Sequence, residues 1–570
     1  MRGFPGAGVS ALLSVAAAAL FGYSYGASSN HAFWLPAVLE RLTPGLYAGD
    51  PAVAAALRGP TFFYDLLAAT ARLLGTEAAA LTLWTLSAAA VGALAWAAGA
   101  RRGLLAGALA ALFVALSGAV RAASPWAGDP LLKAFADHTS AAWPFVLGGA
   151  GLWLSGRAAA AWVCVGVSGL LNPLCALLGA GWLLAAQAWE ERAVPGVRAW
   201  GEAAAAGLAG ALLLTLLGRG ARPDLALALA ASPNTYLPST WPWERWVQAV
   251  SWAVLWWSAA RAAEDGARLR ALTGAGLLLG LAGLLAPWLG PLAFLQPLRL
   301  DAPLSWLGAV AAAAALAPRL TDPRPSVWLA AAAAALALVA PFPGPLLPVL
   351  AAAVLAARTG SWRRGAAAVL GLYGLLAPLT SLFFFMQAPV WACLAVLVLG
   401  AAAALAPEAP DAWPSWVRPC VGAAALSWGL YSLAPAARLP SWREAPSPLE
   451  SAARDTPPSS RLAASPDRSG LRLRGRRPVC AEWTDFNLGL FDRAAAQAWA
   501  GRMGELGVDW ERLPAERAKA VTEWDRAFLR RRRAPPAEGV PGWTNAERAY
   551  ADAKACGAAF AAFGGQLLPI

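Results

Sequence analysis

The chain has 570 residues, 58% of them hydrophobic and 14% charged, and carries a formal net charge of +12. Its mean hydropathy of +0.51 excludes an ordinary water-soluble globular protein, because its long uncharged Ala, Leu, Val and Trp stretches exceed what such a core buries. The basic excess does not point to nucleic acid, since the arginines stand mostly singly at the ends of apolar segments, where they set membrane topology.

In chain order, Arg2 precedes an apolar run over 7–26 that is followed by small residues, Gly26, Ala27 and Ser28. A cleaved signal peptide and an uncleaved first helix share this pattern; the uncleaved helix is expected, because the rest of the chain is itself membrane-embedded. The stretch 28–75 is mixed. It holds Pro44, Pro51, Pro60 and several charges, while Phe33, Leu35, Val38, Leu39 and Leu42 recur at helical spacing, which predicts amphipathic helices along the membrane interface.

Further spans are predicted at 77–99, 103–120, 141–155, 158–172, 174–188, 203–218, 247–263, 271–289, 303–317, 326–341, 344–357, 365–380, 389–406 and 418–434. A bilayer takes about 17 to 25 apolar residues per helix, so several are short. Asn172 and Pro173 interrupt one long run, which suggests half-helices or a tight hairpin. The expected fold is an all-α polytopic membrane protein, residues 1–434, with about 13 to 15 transmembrane helices.

Arginine placement favours a cytoplasmic N-terminus, with Arg101, Arg102, Arg157, Arg261, Arg319, Arg324, Arg363 and Arg364 on the inner side. The loops 28–75, 121–140 and 219–246 then face outward with the polar tail. The tail opens with a Pro/Ser/Arg-rich linker, 435–469, followed by a small soluble α/β domain, 470–570. Within it, 471–483 reads as a strand-like stretch, and 493–506 and 515–533 as helices with Trp499, Met503, Trp524 and Phe528 on apolar faces. Cys480 and Cys556 form the only cysteine pair in the tail; one disulfide on an oxidising side and two separate buried thiols both fit.

The outer loops hold most polar side chains that topology does not explain. Loop one carries Asn30, His31 and Asp50; loop two carries Asp129, Asp137 and His138; loop three carries Asn234 and Tyr236. Ala-Gly-Asp-Pro occurs at both Asp50 and Asp129, where Asp and Pro suit a helix N-cap and first turn. A carboxylate in such a loop also suits a general base or a divalent cation such as Mg or Mn. His138 beside Asp137 reads as an acid/base or metal-ligand pair, or as a packed cap. Trp241, Trp243 and Trp246 fit an aromatic belt. Arg299 stands at an outer boundary, suited to Asp301 or to a lipid phosphate.

This layout resembles the GT-C glycosyltransferase superfamily, and most closely bacterial multi-pass membrane proteins of the same plan. The resemblance rests on Leu46-Tyr47-Ala48-Gly49-Asp50, the acidic second loop, Leu171-Asn172-Pro173-Leu174, Tyr236-Leu237-Pro238-Ser239, Gln296-Pro297-Leu298-Arg299, and Gly475-Arg476-Arg477-Pro478 before Trp483. It implies an enzyme of the bacterial cytoplasmic membrane that takes a sugar from a polyprenyl-phosphate donor at the outer face. Asp50 matches the first-loop carboxylate that acts there as base or metal-associated residue. On this reading of the loops, Asp129, Asp137 and His138 assist the base, and Asn30, His31, Asn234, Tyr236 and Arg299 bind substrate. A lipid or solute transporter and a non-catalytic membrane scaffold are the competing readings. Ion-coupled transport needs charges deep inside spans, and this sequence has almost none.

Overall fold

The computed structural model describes all residues except 1–3, 21–22, 27–28, 118–119, 121–124, 128–129, 134, 232–237, 239–240, 265, 286–295, 340–345, 358, 385–389, 408, 410–412, 415, 422, 424–446, 514, 518 and 521–541. It is mostly helical. The first stretch holds α1 (Phe4–Leu20), α2 (Ser29–Leu42), α3 (Pro51–Ala56) and α4 (Phe63–Leu74). The bundle continues with α5 (Thr76–Ala100), α6 (Leu104–Leu116), α7 (His138–Leu154), α8 (Ala158–Leu171), α9 (Pro173–Glu191), α10 (Val197–Leu216), α11 (Leu225–Ala231), α12 (Trp243–Ala262) and α13 (Ala267–Leu285). After a 3-10 turn, Pro297–Leu300, come α14 (Asp301–Leu320), α15 (Pro325–Val339), α16 (Leu347–Ala356), α17 (Gly360–Phe384) and α18 (Val390–Leu405).

Each apolar segment predicted between 77 and 406 thus falls on a helix over its described residues. Among the described residues, four are long and apolar enough to cross a membrane: Thr76–Ala100, Val197–Leu216, Ala267–Leu285 and Pro297–Leu320. Six other apolar helices are shorter. Most of the predicted span 418–434 lies outside the described residues. Helix α14 is central, buried from Asp301 to Ala317, and its Ala-rich middle lets α5, α6, α12, α13 and α15 approach closely. Elsewhere backbones touch through glycine. A Cβ at Gly210 would overlap the Gly169 backbone, and one at Gly92 would overlap Ser14, while Ser10 Oγ donates to Gly92 O at 2.6 Å. The outward faces carry Leu86, Leu208, Leu212, Leu278, Leu281, Leu372 and Val398, an apolar exterior compatible with lipid.

The stretch 28–75 contains the predicted helices, but α2 is not a surface helix. Residues 31–38 are all buried, because α2 is packed between α4 on one side and the tail on the other. Periodicity locates the helix without showing that both faces are covered.

The tail comprises α19 (Pro448–Asp455), β1 (Leu462–Ala464), α20 (Leu471–Gly475), a 3-10 helix (Trp483–Leu490), α21 (Arg493–Glu505), α22 (Ala546–Ala555), β2 (Phe560–Phe563) and β3 (Gln566–Pro569). Strand β1 pairs parallel with β2, and β2 antiparallel with β3 through a Gly564-Gly565 turn with φ of +59° and +82°, a conformation glycine adopts freely. This small α/β unit differs from the sequence reading in two places. The stretch 471–483 opens as helix and supplies only a bridge at Val479 to Leu462. The expected linker holds α19 and β1, and Ser447 and Glu450 form the capping box that starts α19, with Pro448 at its first position. Trp483, Trp499 and Trp510 cluster in its core, and a disulfide joins Cys480 to Cys556. Trp499 and Met503 are buried as predicted, whereas Trp524 and Phe528 lie outside the described residues.

Candidate functional site

A cavity of about 280 Å³ lies where the ends of several helices meet the tail. Asn30 and Trp34 enter from α2, His138 and Thr139 from the first turn of α7, and Asn172 from the break between α8 and α9. Arg219 follows α10, Gln296 and Arg299 precede α14, and Asn487, Leu490 and Phe491 come from the tail. Three of the sequence-predicted site residues, Asn30, His138 and Arg299, therefore share one hollow.

Local chemistry explains each placement. The Asn172 side chain accepts from Leu174 N and Cys175 N, starting α9 with Pro173 at its first position, and donates to Thr139 Oγ1 at 3.0 Å. His138 stands in the first turn of α7, with Nδ1 3.2 Å from Tyr64 Oη. Trp34 stacks on Tyr64 and on Phe491, centroids 4.8 and 5.4 Å apart, forming an aromatic wall. Arg219 grips Asp65 through both Nη atoms, and that hydrogen-bonded carboxylate raises the guanidinium above its ordinary value. Gln296 sits at a left-handed φ of +47° and its carbonyl accepts from Arg299 N at 2.9 Å, which turns the chain into the segment carrying Arg299.

Asp137 lies just behind the cavity. It caps α7 through Ser140 N, receives Asn30 Nδ2 at 3.1 Å and Lys133 Nζ at 2.7 Å, and is fully buried. Burial works to raise its carboxyl, but Lys133, His138 and the Ser140 N–H hold it well below the usual carboxylate range. His31 is not a lining residue. Gly26 N–H donates to its Nδ1 at 3.1 Å, so Nε2–H donates to Ala136 O at 2.8 Å. Burial pushes this imidazole down to about 4 despite that bond and the Asp137 charge. His31 ties α2 to loop two as a neutral ring.

Asp50 lies away from the cavity lining. Its Oδ1 accepts from Ala52 N and Val53 N, capping α3, and its Oδ2 accepts Arg472 Nε at 2.7 Å and Val479 N at 3.0 Å. Four donors occupy the sites that two carboxylate oxygens offer, so the geometry gives Asp50 a structural position and leaves no room for a substrate proton or a divalent cation. Among the described residues, no group of three His, Cys, Asp or Glu is arranged to hold a metal ion. Asp129, Asn234 and Tyr236 lie outside the described residues. Asp301 holds the second loop by accepting from Trp126 N and Ala127 N at 2.6 and 2.9 Å.

Among the described residues, the cavity lining carries no carboxylate, one imidazole and two guanidiniums, with amide and hydroxyl groups between them. Such a set suits an anion and a polyol, with His138 the one imidazole among them. Sequence reading did not pick Arg219, Gln296, Asn487 or Phe491 as site residues. The one signal among them was Arg219, a cation on the predicted outer side, where the topology rule disfavours positive charge. The tail residues arrive because Arg222 N donates to Phe491 O, Asp224 N to Gly489 O and Arg493 N to Arg222 O, at 2.7, 2.8 and 2.7 Å. In comparisons with known proteins, no protein family, no curated protein and no solved structure matches this chain.

Proposed function

We propose that the chain is an integral membrane glycosyltransferase-like protein, GT-C in plan, whose cavity receives the phosphate-linked sugar of a polyprenyl-phosphate donor. It would act at the outer face of the bacterial cytoplasmic membrane, with the short apolar helices completing a polytopic bundle. One observation carries the reading: His138 and Arg299, on distant parts of the chain, face the same hollow together with Asn30, Asn172 and Arg219.

The chemistry follows from those groups. Arg299 suits a phosphate diester, with Arg219 beside it already held by Asp65; the amides suit sugar hydroxyls, and the Trp34–Phe491 wall suits a sugar face. Leu174, Leu177 and Leu214 line the apolar side and suit the first prenyl units. Ligand pockets run about 300 to 1,000 Å³, so a hollow of about 280 Å³ favours a single sugar. In the transfer, the acceptor oxygen attacks the anomeric carbon while the bond from that carbon to the phosphate oxygen breaks. The bonding pair leaves on polyprenyl phosphate, and the acceptor proton passes to His138 Nε2, in the tautomer whose Nδ1–H donates to Tyr64. Asp137, which caps the helix that His138 begins, stabilises its charged form. The place of the cavity at helix ends, rather than midway along them, favours transfer over translocation.

Membranes carrying wild-type, His138→Ala or Arg299→Gln protein can be compared for transfer of radiolabel from lipid-linked sugars. Loss of a general base lowers the rate by roughly 100-fold or more. Equal transfer by wild type and His138→Ala would overturn the reading.

A further inference from the structure

A second polar hollow lies at the other end of α14. That helix has 20 residues, which at the α-helical rise separates its ends by about 30 Å. Arg299 precedes its start, and Arg319 stands in its last turn. Around Arg319 a cavity of about 620 Å³ gathers Arg261, Arg324 and Arg363 with Asp322 and Trp257. Arg324 is taken by Asp322, Nε to Oδ1 at 2.9 Å and Nη2 to Oδ2 at 2.8 Å. Arg319 is anchored to the Leu355 carbonyl at 2.7 Å, a neutral partner, and both Arg363 and Glu264 act on its charge. Among the described residues, four guanidiniums line this space against one carboxylate, with Glu264 alongside.

An apolar groove borders this hollow. Ala356 and Ala357 line both; the groove, of about 960 Å³, runs along α16 and α17, walled by Leu350, Val369 and Trp362. Trp362 is 76% exposed at the groove mouth, where an indole suits a membrane–water boundary. A cationic pocket that shares two lining residues with an apolar trough matches a molecule with an anionic phosphate head and a hydrocarbon chain.

We propose that the two hollows form one binding site for an anionic phospholipid, with the phosphodiester on Arg261, Arg319 and Arg363 and an acyl chain along the groove. The shared chemistry is a phosphate anion. A lipid headgroup and a free phosphate are its two sources, and the groove selects the lipid. Guanidiniums recognise phosphate by paired donors, and basic pockets between helices hold such headgroups. This site does not depend on what the first cavity does.

The test uses the full chain purified in detergent, titrated with phosphatidylglycerol, phosphatidylcholine or inorganic phosphate. Native mass spectrometry counts bound lipid and thermal unfolding reports stabilisation. One phosphatidylglycerol should be retained and should raise the unfolding midpoint, with phosphatidylcholine and phosphate ineffective. Replacing Arg261 and Arg363 together by Gln should weaken phosphatidylglycerol binding roughly 30-fold, each cation near an anionic headgroup contributing about a factor of five. Equal binding of phosphatidylcholine, an equal rise with inorganic phosphate, or unchanged affinity of the double variant would each overturn the proposal. Should the double variant fail to fold, Arg261→Gln at an exposed side chain and the wild-type lipid series decide it.

Discussion

Asp50 and Arg472, 422 positions apart, meet in a buried ion pair with Nε to Oδ2 at 2.7 Å. The guanidinium also takes both oxygens of Asp485, at 2.7 and 2.8 Å, and the Arg472 backbone N–H donates to Glu482. Arg472 thus fastens the tail to the first loop and neutralises carboxylates from both. Removing one partner of a buried pair costs roughly 3 to 5 kcal/mol, because the other charge stays buried. Arg472→Met should be the more damaging change, since it leaves three carboxylates facing one another. Asp50→Asn keeps a capping oxygen and leaves Arg472 on Asp485. Limited trypsin digestion and thermal unfolding should rank wild type above Asp50→Asn above Arg472→Met. Equal resistance of all three would mean that the tail is held by other contacts.

That pair also marks the boundary of what could be read from the chain alone. Helix positions were legible because apolar runs and their polar breaks are local, and the Asn172-Pro173 break is a cap whose two residues are adjacent. The capping half of Asp50 was legible for the same reason, in Gly-Asp-Pro. Its second oxygen was not, because no spacing rule links a residue to a partner over four hundred positions away. The same holds for the cavity. His138 and Arg299 stood out as polar groups at helix ends, but Asn487 and Phe491 belong to the site only through backbone pairing between loop three and the tail. Within the tail, α20 replaces the predicted strand because Gly470 and Arg476, both at positive φ, confine Leu471–Gly475 to a single helical stretch.

His31 gives a pH dependence with a definite sign. Its ordinary value of 6.5 is lowered to about 4 by burial, so the native state keeps the ring neutral where the unfolded chain takes up a proton. The stabilisation is complete above pH 6.5 and is lost as the pH falls from there toward 4, by at most about 1.4 kcal/mol per unit. Asp137 is held well below the usual carboxylate range, so its own loss falls at lower pH. In His31→Gln, an amide can accept from Gly26 and donate to Ala136, and the slope between pH 6.5 and 4 should flatten. Unfolding midpoints across that range check this, and an unchanged slope would assign the acid sensitivity elsewhere.

The disulfide between Cys480 and Cys556 closes a loop with a sequence separation of 76. In the chain-entropy picture a loop of this length contributes about 4 kcal/mol, a sum that native geometry modifies. It also bears on topology, because such bonds persist on the oxidising side of a membrane. A thiol reagent applied to unfolded, unreduced protein should spare Cys480 and Cys556 while labelling Cys164, Cys175 and Cys420, the free cysteines among the described residues. Peptide mass spectrometry reads the result. Labelling of the tail cysteines before reduction would place them in a reducing compartment and remove the support they give to an outward-facing tail.

Asn172 connects helix capping to the cavity, and its two functions separate by substitution. Asn172→Ala removes the oxygen that accepts from Leu174 N and Cys175 N and should cost about 1 kcal/mol, the usual value of an N-cap. Asn172→Asp retains that oxygen, so the α8–α9 junction should keep most of its stability. It loses the Nδ2 donor to Thr139 Oγ1 and brings a negative charge into a lining shared with Arg299 and Arg219. An anionic substrate would meet repulsion there, so Asn172→Asp should impair binding of a lipid-linked sugar phosphate more than Asn172→Ala, in the reverse order of their stabilities. Substrate titration of the transfer reaction beside thermal unfolding tests the inversion. If the two variants rank alike in both measurements, Asn172 serves only the helix, and the cavity loses one of its proposed substrate contacts.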